Sequence, residues 1–206
     1  MRHQKILLSL TVLTVLSLSS SAQEVYLGGG YNSSNLLKQG EERWTGRSGY
    51  QLGADIRSVN VWFAQFGAHL LVRNLNYSLT GLDSAGVVAL GNTEFRYTDR
   101  SLRVPLMVGR HLLNPKDGSA VNAYLMAGPT VIFPLSTELN NSALNVTTNG
   151  SQWYLGATGG LTIKFLFVET GYSFAMSNVF KGDTFQTDPR INLFHITGGV
   201  RLRLAQ

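Results

Sequence analysis

From Asn192 to Leu204 the side chains alternate residue by residue: Phe194, Ile196, Gly198, Val200, Leu202 and Leu204 share one face, and His195, Thr197, Gly199, Arg201 and Arg203 share the other. A period of two belongs to an extended strand, because successive side chains of a strand point to opposite faces. The pattern recurs along the chain. Tyr50, Leu52, Ala54 and Ile56 oppose Gln51, Asp55 and Arg57; Phe66, Ala68, Leu70 and Val72 oppose Gln65, His69 and Arg73; Leu102, Leu106 and Val108 oppose Arg103 and His111. Later, Leu155, Ala157, Leu161 and Ile163 oppose Tyr154, Thr158, Thr162 and Lys164, and Val168, Tyr172 and Phe174 oppose Glu169 and Ser173. The alternation predicts strands over 25–33, 47–57, 61–77, 97–112, 120–134, 152–164, 166–177 and 191–204.

What lies on the two faces separates a soluble barrel from a membrane one. One face is a thin aliphatic surface with many small residues, while the other gathers Gly, Thr, Gln, His and isolated charges. Only 14% of residues are charged, against about 25% in a soluble domain. A small transmembrane barrel turns its apolar face to lipid and fills its interior with polar side chains. The connections between the predicted strands alternate long and short: 34–46, 78–96, 135–151 and 178–190 are long, and 58–60, 113–119 and the turn at Phe165 are short. Outer-membrane barrels keep long loops at one end and short turns at the other. The expected fold is therefore all-β, an eight-stranded antiparallel up-and-down transmembrane β-barrel. Trp62, Phe63, Phe165 and Phe167 beside short turns, with Tyr97, Phe133, Trp153 and Phe180 toward the long loops, are expected to form interfacial girdles.

The amino terminus reads as an export signal. Arg2 and Lys5 precede an apolar run from Ile6 to Leu18, and Ser20 and Ala22 supply small residues for cleavage. The run is shorter than the ~18–20 apolar residues of a spanning helix. Residues 1–22 are thus expected to be removed, leaving 23–206 as one barrel domain. Loss of Arg2 and Lys5 lowers the formal charge from +5 to about +3, and the remaining cations are scattered, which argues against nucleic acid as a partner. The chain has no Cys, which excludes disulfides, thiolate metal sites and lipid attachment through cysteine. Gly199, Leu202 and Leu204 match the spaced pattern of a barrel-assembly signal, followed by Ala205 and Gln206 instead of a terminal aromatic residue. The expected partners are outer-membrane lipid, the barrel-assembly machinery and other envelope proteins. The expected location is the bacterial outer membrane, with a periplasmic N-terminus.

Two segments carry a family resemblance. LRVPLMVGRH at 102–111 and NAYLMAGPTVIFPL at 122–135 resemble the PorT-like outer-membrane β-barrel family of Bacteroidota, with Pro105, Gly128 and Pro129 the most specific positions. FVETGYSFAMSNV at 167–179 and the glycine-containing strand at 198–204 are also similar to the family. The resemblance implies a fold and an address, and little chemistry. In their own right, Pro105 and Pro129 lack an N–H and are expected to mark a bulge or distortion in their strands.

The expected interior polar network comprises Asp55, Arg57, Gln65, His69, Arg73, Arg103, His111, Tyr124, Lys164, Glu169, His195, Arg201 and Arg203. Bases outnumber acids in this set, so Asp55 and Glu169 are expected to sit among Arg and Lys, since unpaired charges in a confined space are costly. Eight strands leave room for side chains and little else, and water-filled porin channels need about sixteen. His69, His111 and His195 fall on separate strands, with no Gly-x-Ser-x-Gly or His-Glu-x-x-His motif. No catalytic, metal or cofactor site is therefore expected. The leading reading is a non-enzymatic barrel with a filled polar interior, acting through its extracellular loops or envelope partners. Two alternatives remain at this point: a narrow anion-preferring pore lined by Arg73, Arg103, Arg201 and Arg203, and a soluble secreted lipid-binding barrel.

Overall fold

The computed structural model describes residues 23–36, 43–79, 93–113, 120–139, 147–181 and 190–204. The expected signal peptide at 1–22 lies outside the described residues, as do 37–42, 80–92, 114–119, 140–146, 182–189 and 205–206. Among the described residues, eight strands close into a barrel: β1 (Gln23–Leu36), β2 (Arg43–Ser58), β3 (Trp62–Leu79), β4 (Thr93–His111), β5 (Val121–Leu139), β6 (Gln152–Ile163), β7 (Leu166–Ala175) and β8 (Ile191–Arg203). Each is antiparallel to its neighbours in the chain. The last pairs back onto the first, from Glu24 opposite Arg203 to Leu36 opposite Ile191. Closure leaves no open sheet edge around the barrel wall. A two-residue ladder of Thr147–Thr148 with Phe180–Lys181 stands apart from it.

The wall is inside-out relative to a soluble protein. Leu52, Leu70, Leu106, Leu125, Leu155, Val168 and Phe174 are exposed on the outer surface, while Gln51, Asp55, Gln65, His69, Arg73, Arg103 and Glu169 are buried within. This polarity follows directly from the two-residue period, as the strict buried–exposed alternation along β7 illustrates.

The strands outrun the apolar pattern that predicted them. β5 continues to Leu139 and β4 begins at Thr93, although 135–138 is exposed on both faces. Backbone pairing persists there because a ladder needs hydrogen bonds and not a buried face, and Arg100 meets Glu138 at 2.9 Å across it. The first long connection contracts for the same reason, since β1 reaches Leu36 and β2 begins at Arg43. The opposite end carries the connections 59–61, 112–120 and 164–165.

Neither proline carries a register shift. Around Pro105 the ladder passes from Phe66 opposite Leu106 to His69 opposite Arg103, skipping the two positions between while keeping register. The β4–β5 ladder likewise passes from Pro105 opposite Thr130 to Val108 opposite Ala127. Missing donors thus interrupt pairing locally, and the shifts fall elsewhere, between Arg47 and Tyr50 and between Arg100 and Ser101. The expected aromatic girdles need correction too. Trp62, Phe133, Trp153 and Phe165 are exposed on the wall, but Phe63, Tyr97 and Phe167 are buried inside it. Strand parity decides direction, so an aromatic residue next to an outward one points inward.

Large interior side chains are accommodated by inward-facing glycines. A Cβ on Gly160 would collide with the Tyr124 ring, and one on Gly28 would lie 2.6 Å from Phe167 Cζ. Small-against-large packing of this kind fills the taper of a small barrel. We expect Gly160→Val to displace Tyr124 and destabilise the folded barrel by about 1–3 kcal/mol, read as a lower urea midpoint in tryptophan fluorescence. An unchanged midpoint would show that the glycine is not required for that packing.

Candidate functional site

The lumen is occupied by three tiers of side chains. Nearest the short-turn end, Arg57 of β2 is fully buried. Its guanidinium carbon lies 4.1 Å from the ring centres of both Tyr26 and Tyr124 and 4.6 Å from that of Phe63. Arg57 Nε donates to Gln65 Oε1 at 2.8 Å and Nη2 to Glu169 Oε1 at 2.7 Å, while Tyr124 donates its hydroxyl proton to the same carboxylate oxygen at 2.7 Å. A planar guanidinium suits this position because it stacks on aromatic faces while donating in its own plane. Below it, Glu24 accepts from Tyr26 at 2.8 Å and from Arg203 Nε at 3.0 Å, with Arg201 at 3.4 Å.

The middle tier joins Asp55 Oδ1 to His69 Nε2 at 3.0 Å. Arg103 Nη1 donates to Gln51 Oε1 at 3.2 Å, and Gln51 Nε2 donates in turn to Thr197 Oγ1 at 2.5 Å. His195 is buried on the same level, and the space left between these groups, about 10 Å³, suits roughly one water molecule.

In the upper tier, Arg73 of β3 is held by Asp99, with Nε 3.0 Å from Oδ2, by the Tyr154 hydroxyl at 3.0 Å and by Gln152 Oε1 at 2.9 Å. Ser101 donates to the other Asp99 oxygen at 2.8 Å. An apolar cluster of Leu71, Ile132, Tyr154, Ala175 and Leu193 shares Tyr154 with this site.

Ten of the expected interior residues are buried: Asp55, Arg57, Gln65, His69, Arg73, Arg103, His111, Tyr124, Glu169 and His195. His111 Nδ1 pairs with Asn122 Oδ1 at 3.0 Å, away from the other histidines. Lys164 is a correction. It is exposed in the β6–β7 turn at φ 54°, where the chain has left the strand and parity no longer aims the side chain inward. Its carbonyl accepts a bond from Arg201. Arg203 is half exposed and sits at the rim, clamped on Glu24.

Sequence reasoning missed Glu24 and Asp99, and both change the electrostatic picture. Among the described residues, the interior carboxylates are Glu24, Asp55, Asp99 and Glu169, facing Arg57, Arg73, Arg103 and Arg201. The expected excess of base over acid is thereby corrected to an approximate balance. The signal was in the register: Arg73 stands directly opposite Asp99, and Glu24 directly opposite both Arg57 and Arg203. Among the described residues no hydroxyl group is hydrogen-bonded to a histidine ring, and no cluster of three or more His, Cys, Asp or Glu has metal-binding geometry.

No protein-family model matches the sequence, and no characterised protein matches it at significant similarity. Among solved structures, the chain is similar to the outer membrane protein OprG from Pseudomonas aeruginosa, with a TM-score of 0.56 and 13% identity over 88% of this chain and 96% of that one. Neisserial surface protein A gives 0.48 and 12% over 88% and 97%. At such identities the likeness to OprG shows a shared fold.

The tiers predict strong coupling within the Arg57 site. Arg57→Met strands the buried Glu169 carboxylate and is expected to cost about 3–5 kcal/mol, measured by urea unfolding. The double variant Arg57→Met with Glu169→Gln should recover much of that loss. Strictly additive losses would contradict the coupling.

Proposed function

We propose that this chain is a bacterial outer-membrane protein whose barrel is a sealed anchor and whose working surface is the end bearing the long connections. The observation that carries the reading is the filled lumen: two guanidinium groups, each held by a carboxylate and by tyrosine, cross it at separate heights, with an apolar cluster packed beside the upper one. The apolar outer wall supports a lipid surrounding. A cargo-carrying soluble barrel would hold its ligand in the interior, where this chain packs its charges. The filled lumen is favoured over the pore reading because three of its four expected lining cations are paired, Arg73 with Asp99 and both Arg201 and Arg203 with Glu24, while Arg103 donates to Gln51.

The strand lengths favour function at the long-connection end. Each of β4 and β5 has 19 residues. At about 3.4 Å per residue and a tilt near 40°, such a strand rises roughly 50 Å, about twice the ~25 Å apolar band of an outer-membrane barrel. Part of the excess is the wet segment 135–138, about 10 Å of rise on the same scale, so the barrel wall itself continues past the apolar band toward its long connections. In this reading the N-terminus and the short turns are periplasmic. The PorT-like motifs fit the same assignment, and Gly128 acts structurally within them, since a Cβ there would strike the Leu106 carbonyl.

Two results are expected together. The purified barrel should show no unitary conductance in planar bilayers, and protease added to intact cells should cut within 80–92 or 140–151 while sparing 59–61. Discrete channel openings would overturn the seal, and cleavage confined to 59–61 would reverse the orientation.

A further inference from the structure

The outer wall is not uniform. On its short-turn side a shallow, open groove of about 520 Å³ runs across β4, β5 and β6. Register explains its shape. Trp62, Arg110, Leu125 and Gly159 form one row of directly paired outward positions, and Val108, Ala127 and Ala157 form the next row toward the middle of the barrel. The small side chains of Ala127, Ala157 and Gly159 make the floor, and Leu125 and Val108, both exposed, stand above it as walls.

The groove is apolar along its length and cationic at its head. Arg110 is exposed one residue before the end of β4, with its guanidinium carbon 5.7 Å from the centre of the Trp62 ring. Among the described residues no carboxylate pairs with it. The interior arginines Arg57, Arg73 and Arg201 each meet a carboxylate and Arg103 donates to Gln51, whereas Arg110 holds its charge on the lipid-facing wall. Tryptophan and arginine at a strand end mark the level of the headgroups, where a charge stays hydrated while its stem lies on apolar surface. A guanidinium at that level binds phosphate through paired N–H donors.

We propose that this groove holds one anionic phospholipid of the surrounding leaflet, its phosphate on Arg110 and one acyl chain lying over Ala127, Ala157 and Gly159. Charge complementarity selects this occupant: a second copy of the chain would bring its own Arg110 toward the same face. The inference rests on the membrane reading above and adds a lipid site to it.

The test uses the full folded barrel reconstituted in nanodiscs of phosphatidylcholine with a minority of phosphatidylglycerol, released and weighed by native mass spectrometry. The wild type should retain one phosphatidylglycerol with about fivefold preference, the value of one cation near an anionic surface. Arg110→Gln should abolish the preference. Ala157→Leu, which fills the floor while leaving the cation in place, should lower retention of any lipid. Arg100→Gln, ten residues away along β4, should change neither. Equal retention of both lipids by wild type and Arg110→Gln would overturn the proposal, as would a lipid-free dimer, which would assign the groove to a second copy. Failure of the chain to enter bilayers would overturn the membrane reading itself, whereas insertion without lipid preference would overturn only this site.

Discussion

The Arg57 guanidinium, enclosed by three aromatic rings and fixed to Glu169, is the interaction on which the interior is organised. An eight-stranded barrel is too narrow to leave its charges in bulk water, and a buried ion survives only where its partners and hydrogen bonds are complete. Arg57 meets that requirement with contributions from β1, β3, β5 and β7: Tyr26, Phe63 and Gln65, Tyr124, and Glu169. One residue thereby ties strands that lie on opposite sides of the wall. Arg73 repeats the arrangement at a higher level with Asp99, Tyr154 and Gln152.

This filling divides the labour of the molecule. The interior is filled with side chains, and the glycines opposite its large ones let the wall approach them. In the proposed reading the exterior supplies contact with lipid, including one groove whose head carries a cation. In that same reading, interaction with other molecules falls to the end where the strands outrun the apolar belt.

Much of this was legible in the sequence, because parity along a strand is a local property. Gln65, His69 and Arg73 lie on one face of β3 whatever their neighbours do, and the same rule placed Arg103, Glu169 and His195. Partnership across strands was not legible. That Arg73 meets Asp99, or Arg203 meets Glu24, depends on register, and the shifts between Arg47 and Tyr50 and between Arg100 and Ser101 give no apolar signal. Parity stops at Lys164, a left-handed turn residue. At Phe63, Tyr97 and Phe167 parity overrides closeness to a strand end. The strand ends near Thr93 and Leu139 were hidden because wet pairing leaves no hydrophobic trace.

The inside-out wall is the central claim, and the absence of cysteine from the sequence makes it directly measurable. Single cysteines placed in turn from Gln65 to Leu71 on β3, spin-labelled and reconstituted in lipid vesicles, report accessibility to oxygen dissolved in the bilayer and to a water-soluble nickel complex. The account predicts a period of two, with Phe66, Ala68 and Leu70 open to oxygen and closed to nickel, and Gln65, His69 and Leu71 closed to both. Nickel accessibility at Phe66, Ala68 and Leu70 would contradict it and return the chain to the soluble class.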